Sequence, residues 1–130
     1  MSASDTLEND LLKLIFNNVA MSGIGDAGGL PGSASAGALY VALHTADPGE
    51  TGNQATNETT YAGYARVAVP RAALNWQVTN NAANNADAVT FADCTGGAAQ
   101  IITHFSIGTA LTGAGKRLFS GALANPASLS

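Results

Sequence analysis

The first hydrophobic pattern along the chain has helical spacing. Residues 5–20 carry an apolar stripe at i, i+4, i+7, i+8 and i+12, typical of an amphipathic helix. The stripe is formed by Leu7, Leu11, Leu14, Ile15 and Val19. Asp5 is a suitable N-cap, and Glu8 follows three positions later as in a capping box. An apolar stripe must be covered, so these residues are candidate assembly anchors, packing on this chain's own sheet or on another subunit.

A segment of mostly small residues separates the helical pattern from the first strand pattern. Residues 22–37 are rich in Gly, Ser and Ala, which predicts a flexible linker or an ordered but irregular loop. From residue 38 apolar residues alternate, and both faces of the segment 38–45 are apolar, which indicates a central strand. We therefore predict an N-terminal helix and arm at 1–37 and a β domain at 38–130.

Short alternating segments separated by turn residues fill the rest of the chain. Besides 38–45, the predicted strands are 64–69, 76–79, 88–92, 100–107 and 117–123. Residues 80–85, rich in Asn and Ala, are predicted as a turn region. No helical pattern lies between the strands, which favours antiparallel sheets. The predicted fold class is mainly β: an antiparallel β-sandwich or jelly-roll-like domain with one N-terminal amphipathic helix.

A polar loop between the first two strands is the candidate contact site. Asp47-Pro48-Gly49 has turn chemistry, since Asp bonds to the backbone ahead, Pro presets φ and Gly accepts positive φ. Residues 50–60 are polar, and two tyrosines follow them. The candidate exposed contact residues are Glu50, Asn53, Glu58, Tyr61 and Tyr64. For at least one of the two tyrosines, packing against the sheet is the favoured role.

Composition narrows the function. Charged residues make up 11% of the chain, less than half of the roughly 25% in typical soluble domains, and such a surface suits a protein packed in an assembly. Lys and Arg total only 5 against a net charge of −4, so we expect no nucleic-acid partner. No apolar run approaches a membrane span, and no signal-peptide pattern begins the chain. We therefore expect no membrane partner and synthesis in a cytoplasm.

Searches for chemistry end in structural explanations. Residues 23–28 match the letters of a dinucleotide fingerprint, but they follow a helix where the motif requires a strand. His44, Asp47 and Glu50 are separated by a turn and lack a neighbouring Cys or second His, so a metal site is disfavoured. Cys94 is the only cysteine and excludes an intrachain disulfide. We expect no enzyme activity, no cofactor and no metal.

Several segments resemble a known family. The most specific are the runs LHTADPG at 43–49 and THFSIG at 103–108. Weaker matches in the same order lie at 7–12, 61–69, 88–91 and 118–123. Together they are similar to small tailed-bacteriophage virion proteins usually labelled tail-fibre-like. The resemblance implies a β-rich, non-enzymatic component of a virus particle, made in the host cytoplasm and located in the virion.

Three functions compete at this point. The favoured one is a capsid decoration or cement subunit, or the base of a head fibre, with the major capsid protein and copies of itself as partners. A symmetric homo-oligomer such as a trimer is expected from how such particles are built. The alternative is a tail-fibre or baseplate-associated module that contacts host-surface polysaccharide. A depolymerase or lysis enzyme is disfavoured, since no acid pair or metal set stands out in the sequence.

Overall fold

The computed structural model describes residues 1–130. Its elements are α1 (Asp5–Asn17), β1 (Ala38–His44), β2 (Val67–Pro70), β3 (Trp76–Thr79), β4 (Ala82–Asn85), β5 (Gln100–Gly108) and β6 (Arg117–Leu129). They form a four-stranded sheet in the order β2-β1-β5-β6 and a two-stranded sheet, β3-β4. The pairs β1–β5, β5–β6 and β3–β4 are antiparallel. The mainly β class with antiparallel sheets and one N-terminal helix is thus confirmed. The jelly roll is not confirmed, because that fold has about eight strands in two sheets.

The chain divides into two compact units. The first comprises Met1–Ala38 and Pro70–Ala88, and the second comprises Leu39–Val69 and Val89–Ser130. Residues 70–88 therefore group with the N-terminal segment, although the sequence pattern joined them to the strands of the β domain. The division into an N-terminal helix and arm at 1–37 and a β domain at 38–130 stays a prediction.

The helix begins and ends at other residues than the sequence pattern predicts. Ser4 is the N-cap, and its hydroxyl accepts a hydrogen bond from the Leu7 amide at 3.2 Å. The predicted Asp5 cap and its capping box with Glu8 are therefore wrong by one position. The helix ends at Asn17, before residue 20, because Asn18 adopts the left-handed conformation with φ 58°. Asn tolerates that conformation and is a common helix terminator.

No helix in the structure combines the length and the apolar character required to cross a bilayer.

The first unit is built around one aromatic contact. Phe16 and Trp76 are each 3% exposed, and their ring centroids lie 4.9 Å apart at an interplanar angle of 58°. The Asn17 side chain donates to the Trp76 carbonyl at 2.8 Å and ties α1 to β3. The Arg71 guanidinium donates to the Leu14 and Ile15 carbonyls, both at 2.6 Å. A cation at this position satisfies free carbonyls and complements the helix dipole.

A hairpin replaces part of the predicted turn region. Asn80 and Asn81 have φ values of 50° and 60°, which is the backbone of a two-residue type I′ turn. Residues Ala82–Asn85 then return as β4, with Trp76 opposite Asn85 in the register. The prediction of a turn over 80–85 is therefore wrong beyond Asn81, because the two asparagines alone reverse the chain.

The Gly-rich segment after the helix is an ordered irregular loop. Met21 and Leu30 form an antiparallel bridge, and Met21 is 4% exposed. Within the loop, Asp26 Oδ1 accepts from the Gly28 and Gly29 amides at 2.8 and 3.0 Å. Of the two alternatives that the composition allowed, these bonds support the ordered loop.

The second unit contains the four-stranded sheet. β1 lies between β2 and β5, so the prediction of a central strand is confirmed. The predicted strand 88–92 is wrong: the segment is irregular, and its Phe91 ring stacks on Tyr64 with centroids 6.2 Å apart. The strand predicted at 117–123 extends to Leu129 as β6. The strand predicted at 64–69 begins only at Val67, because the preceding residues belong to a buried polar cluster described below.

Candidate functional site

The apolar stripe of α1 faces outward for the most part. Leu7, Leu11 and Val19 are 42%, 45% and 50% exposed. Leu14 and Ile15 are half-buried. Four of the predicted anchors lie in α1, and Val19 follows the end of the helix. This chain leaves three of the five substantially exposed. We call these five residues, Leu7, Leu11, Leu14, Ile15 and Val19, the helix stripe.

A different face of α1 is the one buried within this chain. Phe16 is the one fully buried residue of α1, and Leu12, one turn before it, is half-buried. The sequence analysis overlooked this pair. Its i, i+4 spacing was an available signal for a second apolar face, but the stripe of aliphatic residues outnumbered it. Because the second face packs on Trp76, this chain leaves much of the helix stripe exposed.

Two loops of the second unit are held together by hydrogen bonds of Gln54. Gln54 is fully buried, and its side chain donates to the Ala110 carbonyl at 3.2 Å and accepts from the Ala110 amide at 2.9 Å. Its backbone amide donates to the Ala114 carbonyl at 2.9 Å. A Cβ at Gly108 or Gly115 would lie only 2.1 or 2.0 Å from Gln54 atoms. Glycine is therefore required at both positions, and the polar loop of residues 50–60 is locked to residues 108–116.

A buried ion pair supports the same loops. Arg66 is 7% exposed, and its Nε and Nη2 donate to Glu58 Oε1 and Oε2 at 2.7 and 2.8 Å. The remaining guanidinium bonds go to the carbonyls of Ala110 at 2.9 Å and Gly113 at 2.6 Å. The Tyr64 hydroxyl donates to Glu58 Oε1 at 2.7 Å. Every member of this polar cluster is hydrogen-bonded, which is the condition for a buried charge to be tolerated.

The electrostatics of the polar cluster favour fixed protonation states. Burial alone would raise the pKa of the Glu58 carboxyl, but hydrogen bonds from Arg66 and Tyr64 outweigh it and lower that pKa below its ordinary value. Burial, together with the bond to Glu58, raises the pKa of the Tyr64 hydroxyl. Hydrogen bonding to Glu58 raises the pKa of Arg66. A carboxylate held charged in this way is a poor general acid at neutral pH.

His44 is a buried structural residue in this arrangement. Its Nδ1 donates to the Thr56 carbonyl at 2.8 Å, and its Nε2 accepts from the Ser106 hydroxyl at 2.7 Å. The carbonyl only accepts, so the Nδ1–H tautomer fits both bonds. Burial lowers the pKa of the His44 imidazole, so the ring is neutral. The structure brings no three metal-ligating side chains together.

The predicted contact residues divide into two groups. Glu50 and Asn53 are exposed on the locked loop, and their role as contacts stays a prediction. Tyr61 is 5% exposed and donates to the Ala92 carbonyl at 2.9 Å. An exposed contact at Tyr61 is therefore wrong, because the ring and hydroxyl are used internally. Glu58 and Tyr64 are only partly exposed and belong to the polar cluster.

A shallow cleft of about 490 Å³ lies beside the polar cluster. Its rim includes the exposed residues Thr60, Ala65, Leu111 and Thr112. Its floor includes Arg66, whose donors are already bonded to Glu58 and to carbonyls. The cleft therefore offers shape and a few hydroxyls to a ligand, and it offers no free charge or nucleophile.

The fold is mainly β, with antiparallel sheets, hydrogen-bonded loops and a largely exposed apolar face on α1. Residues 2–130 match the family described as Podophage GP4 fiber I protein gp80. The chain belongs to this family of podophage fibre proteins, and it is a virion component of the fibre type. A search of curated proteins finds no match. The predicted membership in a phage virion family is thus confirmed. That the run LHTADPG is a specific mark of this family stays a prediction.

Proposed function

We propose that this chain is a non-enzymatic subunit of a podophage fibre, held in the particle through the helix stripe. The observation that carries the proposal is the exposure of Leu7, Leu11 and Val19 at 42%, 45% and 50%. Fully burying such a side chain contributes about 1.5–3 kcal/mol, so covering the exposed fractions stabilises an assembly substantially. The partners of the stripe are copies of this chain and other virion proteins.

The surface chemistry supports the same function. Only 11% of the residues are charged, so neighbouring copies repel one another weakly. The loops that project from the sheet are fixed by Gln54 and by the Arg66–Glu58 pair rather than left mobile. A module with ordered loops and one exposed apolar face suits a component that is attached through this face and displays its loops on the particle.

The place of the fibre on the particle is a further part of the proposal. The family description names a fibre, which favours a head-fibre base or a tail fibre over a capsid decoration or cement subunit. Copy number separates these functions. Quantitative mass spectrometry of purified particles should give a small fraction of the copy number of the major capsid protein. A number comparable to that of the capsid protein would support decoration and contradict the fibre.

The helix stripe itself is tested by substitution. The variant Leu7→Ser with Leu11→Ser removes two exposed apolar groups and leaves Phe16 and Trp76 in place. Incorporation into particles, measured by complementing a deletion phage, should fall by about tenfold or more, since each tenfold step corresponds to about 1.4 kcal/mol. Leu74→Ser is the matched control, because Leu74 is 87% exposed and lies outside the stripe. Unchanged incorporation of the double variant would refute the anchor.

Contact with host-surface polysaccharide is the second candidate function. The observation behind it is the cleft of about 490 Å³ next to a rigid loop that exposes Glu50 and Asn53. Thr112→Trp would fill the cleft from its exposed rim and leaves the residues of the polar cluster unchanged. Purified protein should compete with phage for adsorption to host cells, and the variant should not. Equal competition by the variant, or none by the unaltered protein, would refute this function.

A further inference from the structure

β6 is an unusually long and open edge strand. It runs over thirteen residues, Arg117–Leu129, whereas its only neighbour, β5, has nine. No strand of this chain pairs with the other side of β6. Such an edge presents a row of backbone donors and acceptors that can pair with another chain.

The first half of β6 has one of the usual protections of an edge strand, a register shift at its start, where Ile107 pairs with Phe119 but Gly108 pairs with Arg117. Residues 118–130 contain no Asp, Glu, Lys or Arg. Pro126 and a register shift lie in the second half, where Ile102 pairs with Ala127 but His104 already pairs with Ala122. These features interrupt pairing beyond Leu123. The open part of the edge is therefore the segment 118–123.

Arg117, the charged residue at the start of β6, is bonded to acceptors of its own chain. The Arg117 guanidinium donates to the Gly52 carbonyl at 3.1 Å and to the Ser120 hydroxyl at 2.7 Å, and it also bonds the Gly49 carbonyl. Arg117 is thereby bonded both to the loop and to Ser120 of its own chain. Because the Ser120 side chain projects from a face of the sheet, the guanidinium lies on that face and leaves the backbone edge of the strand open.

The opposite edge of the same sheet differs. β2 has only four residues, Val67–Pro70, and ends in a proline that lacks an amide donor. A short edge closed by Pro does not offer a template to β6 of another copy. Among the strands of this chain, β6 itself is the better partner for β6.

We propose that β6 pairs with β6 of a second copy, antiparallel about a two-fold axis at Ser120, so that the two sheets become one. A two-fold axis normal to the sheet keeps each face of the strand on its own side. It places Leu118 opposite Ala122 and Phe119 opposite Gly121 of the other copy, with Ser120 opposite itself. Each large side chain then faces a small one, so that facing side chains fill the space between the strands without a clash.

The surroundings of Gly121 fit this register. Gly121 lies opposite Phe105 in the β5–β6 ladder, and a Cβ at Gly121 would lie 2.9 Å from the Phe105 ring. The aromatic ring therefore occupies the space above this glycine. In the paired sheet, Phe119 of the second copy would approach the same glycine from the other side and extend the apolar layer begun by Phe105.

A short strand pair is a weak interface in isolation. Stable interfaces bury about 1,200–2,000 Å² in total, and six residues per strand bury less. We therefore expect association of free protein only at high concentration, with multiple attachment in the particle raising the effective affinity. The pairing rests on the strand alone, and it holds whichever structure of the particle carries the chain. It is a two-fold contact, different from the trimer expected from the sequence.

The test combines crosslinking with oligomeric state at about 100 µM, where a weak interface is populated. In a Cys94→Ser background, Ser120→Cys should form an intermolecular disulfide on oxidation, because directly opposed residues bring their Cα atoms within about 4.4–6.8 Å. Ala124→Cys is the matched control and should not crosslink, since the register places its counterpart far along the strand.

A second variant reports on the edge without a cysteine. Ala122→Lys adds an edge charge at an exposed position and should give a monomer by light scattering. Ala127→Lys, beyond Pro126, should leave the dimer intact. A monomeric unaltered protein at this concentration would overturn the proposal. So would a dimer that Ala122→Lys does not dissociate, or an assembly that Ser120→Cys fails to crosslink.

Discussion

Arg66 holds Glu58 in a bidentate ion pair, with Nε–Oε1 and Nη2–Oε2 distances of 2.7 and 2.8 Å. The two residues are only eight positions apart, yet the pair joins the polar loop to residues 110–113, because Arg66 Nη1 donates to the Ala110 carbonyl and Nη2 also donates to the Gly113 carbonyl. The geometry explains why a loop with so few apolar residues is ordered, and it makes the pair the first target for substitution.

Removing Arg66 should cost more than removing the pair. Arg66→Met leaves the Glu58 carboxylate half-buried without its partner, and such changes cost about 3–5 kcal/mol. Glu58→Gln with Arg66→Met should be less destabilised than Arg66→Met alone, because no charge is then left unpaired. Urea denaturation of both variants measures the difference. A double variant less stable than the single one would contradict this account of the pair.

Stability should fall on mild acidification. Burial sets the pKa of His44 below its ordinary value of 6.5. The unfolded chain therefore binds a proton first, and stability is lost as the pH falls from about 6.5 through the folded-state pKa, at no more than about 1.4 kcal/mol per pH unit. The lowered pKa of Glu58 acts in the same direction below its ordinary value of 4.5.

Thermal melts between neutral pH and the pKa range of carboxylates check this dependence. His44→Asn keeps one donor and one acceptor but does not titrate, so its melting temperature should vary less between neutral pH and the pH where Glu58 begins to protonate. A His44→Asn profile parallel to that of the unaltered protein would show that His44 is not the source.

Two glycines of one loop should respond differently to alanine. Gly115 and Gly113 have φ values of +53° and +79°, so Ala at either position is strained by about 1–2 kcal/mol. At Gly115 the new Cβ would also meet Gln54 Oε1 at 2.0 Å, whereas at Gly113 nothing lies within 4 Å. Gly115→Ala should therefore be more destabilising, by about 1–3 kcal/mol, as for other overpacked sites. Equal losses in urea denaturation would mean that Gln54 adapts freely.

The sequence predicted those parts of the fold whose signals are local. The alternating patterns of β1, β3 and β5 predict strands, and each of these strands has buried side chains. β4 was missed because its residues, AANN, carry no alternation, and the strand exists only because Asn80 and Asn81 reverse the chain. The strand predicted at 88–92 failed for the opposite reason, since the Phe91 ring packs on Tyr64 without backbone pairing.

The candidate site was less accessible from the sequence. The helical spacing identified the apolar stripe of α1, but which face this chain covers depends on Trp76, far from the helix along the chain. Burial of Tyr61 likewise depends on Ala92, whose carbonyl accepts its hydroxyl. Contacts between distant segments decide exposure, and a periodic pattern does not contain them.

A cryo-electron microscopy reconstruction of the particle tests the central claim most directly. The account predicts that the chain lies in a fibre and that Leu7, Leu11 and Val19 of the helix stripe are covered by a neighbouring subunit. Density for this chain arrayed over the capsid lattice, or a fibre in which the helix stripe faces solvent, would contradict it.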